Sequence, residues 1–170
     1  WGPRNNTNIQ QSALLFSLSH VAKNKQMYLE NYWMKNKRAV DEGKNGPIYA
    51  WHIPANQRRK ADTADAVNEL LRQGLEIQKA TTAFTAGGRS VAAGDYIVRG
   101  DQPYRTLAEM YFAIQNYPPQ NPRPYDDTGW TMGLMNQTEV KEIADFAILQ
   151  AAVEPVTMIK LQGSQSGSGR

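Results

Sequence analysis

From Arg4 to Glu42 the chain contains neither glycine nor proline. Apolar residues recur through that run at helical spacing. Leu14, Leu18, Val21, Tyr28, Tyr32 and Ala39 form one row; Leu15, Ala22, Leu29, Trp33 and Val40 form another beside it. Thr7 and Gln10 stand at capping-box spacing, so the helix is expected to start at Thr7 and run to Glu42. At 1.5 Å per residue it would be about 54 Å long. In a chain of 170 residues, such a helix is expected to span the edge of a larger body or to lie against a neighbouring domain.

"GKNGP" (43–47) ends the run and marks the clearest boundary. The expected organisation is a long helix and linker over 1–46, an α/β domain over 47–162 and a flexible Gly/Ser tail over 163–170. After the boundary, "IYAWHIP" reads as a buried strand. Asp62 is expected to cap a helix carrying Ala66, Val67, Leu70 and Leu71, with Gly74 just past its end. "LEIQKA" follows as a second strand, so the unit reads as βαβ with its two strands parallel neighbours. Residues 81–94 read as a hairpin or irregular excursion. "DYIVRG" is a third strand feeding a helix with Pro103 in its first turn and an apolar stripe of Leu107, Met110, Tyr111 and Ile114. "EVKEIAD", "FAILQAA" and "VTMIKLQ" read as further strands. The order implies a three-layer α/β domain with a mostly parallel sheet. Such sheets usually have more parallel strands than are countable here, so either the later runs complete the sheet or the chain is an incomplete fragment.

Composition removes several chemistries. With 41% hydrophobic and 21% charged residues the chain reads as globular, and no apolar run is long enough to span a membrane. The opening "WGPRNNTN" lacks the basic and apolar segments of a signal peptide. The net charge of +3 is spread thinly; its densest cluster, Arg58-Arg59-Lys60, precedes Asp62 and Asp65 and reads as a solvated loop, with no nucleic-acid patch. With no cysteine there is no disulfide, no thiolate ligand and no Cys nucleophile. His20 and His52 are the only histidines and neither begins a zinc-binding pair, so no metal site is expected from this chain alone. His20 reads as a packed or solvent-facing helix residue, and His52 as a strand residue hydrogen-bonded to its surroundings. No P-loop, G-x-G-x-x-G or G-x-S-x-G elbow is present.

"RPYDDTGWTMGL" (123–134) gathers charged and aromatic residues after a Pro-rich bend. Asp126 and Asp127 are adjacent, so their side chains diverge, whereas a glycosidase pair needs convergent carboxyls. The segment is expected to be a structural closure. Asp126 or Asp127 would cap a turn, Trp130 would anchor the loop, and Thr131–Leu134 would form a short helical turn.

Four segments together, "YAWHIPANQRR", "LLRQGLEIQKA", "AAGDYIVRGDQPYRTLAEMYFAIQNYP" and "RPYDDTGWTMGL", resemble in order the region that follows the catalytic domain in large bacterial zinc carboxypeptidase (metallocarboxypeptidase) family proteins. "WGPRNNTNIQQSALLFSLSHVAKNKQMYLENY" resembles the segment that leaves the peptidase domain. The resemblance implies a three-layer, flavodoxin-like (class I glutamine amidotransferase-like) fold. It also implies an upstream peptidase domain as partner, a peptide substrate and zinc in the parent, and a secreted or periplasmic location. No zinc ligand or general base of that family is present, so no catalytic residue carries over, and amidotransferase chemistry would need a cysteine. The chain itself is then a non-catalytic accessory domain without a cofactor. The alternative is an independent ligand-binding or structural module of flavodoxin-like fold. Its pocket would lie outside the carboxyl ends of parallel strands, where Asn56, Gln57, Gln102 and Arg105 follow strand ends.

Overall fold

A computed structural model describes residues 1–114, 118–122 and 131–159. The chain divides into two compact units, 1–37 and 38–170. The division falls inside a helix, ahead of the Gly-rich boundary at 43–47.

The first unit is helical. Helix α1 (Pro3–Lys23) starts four residues earlier than expected, because Pro3 supplies a preset φ in the first turn and Gly2 stands as N-cap. Thr7 is therefore inside the helix, and its hydroxyl donates to the Pro3 carbonyl at 3.2 Å. Helix α2 (Lys25–Asn45) follows after the single residue Asn24. The hydrogen-bond ladder runs through that residue: Asn24 N–H donates to His20 O at 3.0 Å, and Asn24 O accepts from Tyr28 N–H at 3.2 Å. The expected long helix is thus two helices with one irregular residue between them. None of α1's residues is buried.

The second unit is built on five short strands. β1 (Ala50–Ile53) leads through helix α3 (Lys60–Arg72) to β2 (Ile77–Ala80). A hairpin, β3 (Phe84–Ala86) and β4 (Arg89–Val91), precedes β5 (Tyr96–Arg99). Helix α4 (Arg105–Phe112), the short helix α5 (Met132–Met135), β6 (Lys141–Ile143), a 3-10 turn at Phe146–Gln150 and β7 (Val153–Pro155) complete the described chain. The α3 cap forms as the sequence suggests. Gly74, at φ +91°, donates to Leu71 O, and Leu75 donates to Leu70 O, the paired bonds of a Schellman motif. At the other end Asp62 lies inside the first turn and pairs with Arg59 at 3.0 Å, so it is not the cap. Gly87 and Gly88 supply the two positive φ values of a tight hairpin turn.

The sheet has the order β6-β1-β5-β2-β7 and every pairing in it is antiparallel. This overturns the flavodoxin-like, mostly parallel sheet. β1 and β2 do run the same way, as a βαβ unit requires, but β5 lies between them and pairs with both, Val98 opposing Trp51 on one side and Ile77 on the other. The misreading has a physical cause. A strand buried on both faces is an unbroken apolar run, usually the mark of a parallel sheet. Here all four residues of β1 are buried because both faces of an antiparallel sheet are covered. On one face Trp51, Ile53, Ile77 and Val98 pack against Val67 and Leu70 of α3 and Ala108 and Phe112 of α4. On the other, Ala50, Ala80 and Ile97 pack against Ala86 and Val91 of the hairpin and Ile148 of the 3-10 turn.

Three further expectations change. "FAILQAA" is the 3-10 turn, because Asp145 Oδ1 caps it by accepting from Ala147 N–H at 2.9 Å. In the "VTMIKLQ" run, residues 156–159 lie beyond β7 and are not strand. Helix α4 ends at Phe112, burying Arg105, Ala108 and Phe112, while Met110 and Ile114 are exposed.

Candidate functional site

The chemistry-bearing pair nearest a site is His52 with Asp95. β1 alternates its side chains, so Trp51 and Ile53 face the helices while His52 faces the hairpin side. Asp95 follows Gly94, which takes φ +96°, and immediately precedes β5. Antiparallel pairing sets Ile53 opposite Tyr96, which brings the two side chains together. His52 Nε2 lies 2.8 Å from Asp95 Oδ2, with the two residues only 3% and 6% exposed. Asp95 Oδ2 also accepts from Ala92 N–H at 2.9 Å, and Oδ1 accepts from Ala55 N–H at 2.8 Å. Burial alone would push the Asp95 carboxyl up. The Ala55 and Ala92 N–H groups and the His52 ring outweigh that and hold it below the ordinary carboxylate value. An ionised Asp95 only accepts, so Nε2 donates to it, while Nδ1 is buried with no hydrogen-bond partner among the described residues. No hydroxyl hydrogen-bonds this histidine there. The pair therefore fixes two loops: the one after β1 and the one that joins β4 to β5.

The residues expected to line a pocket are not brought together. β1 and β5 are antiparallel, so residues following their carboxyl ends emerge at opposite ends of the sheet. Asn56 and Gln57 follow β1, and Asn56 is exposed. Gln102 and Arg105 follow β5. Gln57 uses both ends of its amide on one residue: Nε2 donates to Glu139 O at 3.1 Å and Oε1 accepts from Glu139 N–H at 2.6 Å. Gln102 does the same with Glu76, at 3.0 and 2.8 Å, and also donates to Arg99 O at 2.7 Å. Asn68 repeats the device on Ile159, at 3.0 and 2.8 Å. Each side-chain amide imitates a peptide group and pins a distant piece of backbone. Arg105 is buried, donates to Ile48 O at 2.9 Å, stands 3.9 Å from Glu42 Oε1 and lies 5.4 Å above the Trp51 ring.

Two more carboxylates hold loops. Asp145 Oδ2 accepts from Gly87 N–H at 2.7 Å; the Ala147 cap, and after it this bond, lower its pKa. Asp101 pairs with Arg99 at 2.6 Å; burial opposes its ionisation, and the Arg99 guanidinium overcomes that. His52 was legible as a hydrogen-bonded strand residue. Asp95 was missed, although an Asp after Gly in "AAGDY" is a local signal for a side chain that accepts from a nearby N–H.

A cleft of about 390 Å³ opens beside β6, lined by Trp51, Phe112, Ile114 and Val140 with Arg89, Lys141 and Glu142. Lys141 is paired with Glu139 at 2.6 Å, and Arg89 Nε donates to Glu142 O at 3.1 Å. Asp126, Asp127 and Trp130 lie outside the described residues; the helical turn expected from Thr131 is present as α5. Among the described residues no group of His, Asp or Glu gathers as a metal site, and no helix is long and apolar enough to cross a membrane. Compared with protein-family models, with curated proteins and with solved structures, the chain matches none.

Proposed function

We propose that this chain is a non-catalytic accessory portion of a zinc carboxypeptidase-like protein, exported to the periplasm or the medium. The parent would hydrolyse peptide bonds with zinc-activated water in an upstream domain. The reading rests on the four ordered segments of resemblance. The observation that supports it best is that the one buried histidine among the described residues is already committed: there His52 hydrogen-bonds only Asp95, whose two oxygens serve three donors. Such a pair positions loops, and its carboxylate is occupied by donors of the chain itself. The test is a carboxypeptidase assay with added zinc on this chain and on a longer product joining it to a domain with an H-x-x-E pair. Turnover is expected only from the longer product, with a changed KM once residues 38–159 are deleted. Turnover by the chain alone, or an unchanged longer enzyme after the deletion, overturns the reading.

A ligand-binding module is the second reading, favoured by the cleft beside β6 with its Trp51 and Phe112 floor. A thermal-shift screen in which an amphipathic anion raises Tm, and Arg89→Ala removes the rise, would support it over the first.

A further inference from the structure

Residues 14–35 carry a seven-residue repeat. Leu14, Val21 and Tyr28 are seven apart, and so are Leu15, Ala22 and Leu29. Leu18, Lys25 and Tyr32 form a third series, and Lys35 extends the first. Steps of four and three alternate along the seam, the spacing that keeps one helix face turned towards another helix. The ladder through Asn24 keeps the seam on one helical track. Its apolar members are exposed, Leu18 by 58% and Tyr32 by 62%.

Charge identifies the occupant. Residues 1–37 carry Arg4, Lys23, Lys25, Lys35 and Lys37 against Glu30 alone, and the Glu30 carboxylate already accepts from Gln26 at 2.8 Å. Lys25 and Lys35 sit in the seam itself and have no ion-pair partner among the described residues. A second copy would bring one basic seam against another. A membrane-surface helix keeps its lysines on a polar face away from its apolar one, whereas here lysines interrupt the apolar seam and Ile9, Phe16 and Met27 lie across from it. We propose that the seam of residues 14–35 binds a helix of a protein partner whose apolar residues meet Leu14, Leu18 and Val21 and whose carboxylates meet Lys25 and Lys35. This goes beyond the peptidase reading and holds whether or not the partner belongs to the same polypeptide.

The probes are two synthetic helical peptides of about four heptads with Leu at a and d, one with Glu and one with Lys at e and g. Titrated into the whole chain, the Glu peptide is expected to bind at least about tenfold tighter, the sum of a few exposed ion pairs. Its affinity should fall with added salt, and it should slow amide exchange over 14–35. Lys25→Glu with Lys35→Glu should reverse the preference while the unfolding midpoint of the 38–159 body stays put. Equal binding of the two peptides, binding of neither, or a preference that survives the reversal overturns the proposal. So does self-association that excludes the Glu peptide, or protection of 14–35 by phosphatidylserine vesicles in its place.

Discussion

At the scale of single residues, the buried polar groups act as fasteners. Asp95 holds His52, Ala55 and Ala92 at once. Asp95→Asn keeps the shape but turns one acceptor into a donor facing N–H groups. It should cost about 1–3 kcal/mol at neutral pH, read as a lower urea midpoint. Because the folded carboxyl titrates below its unfolded value, its stabilisation is present above about pH 4 and fades as pH falls through the folded pKa. The gap between wild type and Asp95→Asn should therefore narrow below about pH 4. A gap that stays constant down to the acid transition would show that the charge is not what matters. Gln102→Glu offers a second test. It swaps an N–H₂ group facing the Glu76 and Arg99 carbonyls for an oxygen, and should cost about 2–4 kcal/mol for two carbonyls that each lose a bond. If it unfolds like wild type, the amide is no fastener.

Among elements, two glycines play opposite parts to the usual one. In an exposed helix Gly→Ala gains about 0.5–1 kcal/mol. Gly43 lies in α2 but is buried, and a Cβ there would collide with the Gly100 carbonyl. Gly43→Ala should thus destabilise by about 1–3 kcal/mol, the scale of overpacking. Gly74 has room for a methyl group but sits at φ +91°. Gly74→Ala should cost about 1–2 kcal/mol from backbone conformation alone. Thermal unfolding of both variants separates steric from conformational cost, since Gly74→Asn should recover part of the loss and Gly43→Asn none.

For the whole molecule, the two units should differ in local stability. Amides of β1 and β5 lie at the centre of a sheet covered on both faces and should exchange slowest. Amides of α1, which buries nothing, should exchange within the first time points. Slow exchange over residues 3–23 in the monomer would contradict this picture.

The local elements were legible because their causes are local. The glycine-free run, the apolar spacing of α3, Gly74 past its end and the Gly87-Gly88 turn each act within a few residues, and the structure keeps them. The same holds for the direction of β1 and β2, which a helix crossover dictates. What no local pattern carried was adjacency. Inserting β5 between β1 and β2 changes no residue's propensity, yet it makes the sheet antiparallel. It also sends Asn56 and Gln57 to one end and Gln102 and Arg105 to the other. His52 and Asp95 meet only through that pairing, across a sequence separation of 43 residues. Side-chain identity and helical period belong to the sequence. Which strand fills a gap is decided by burial over both faces at once, a property of the assembled sheet.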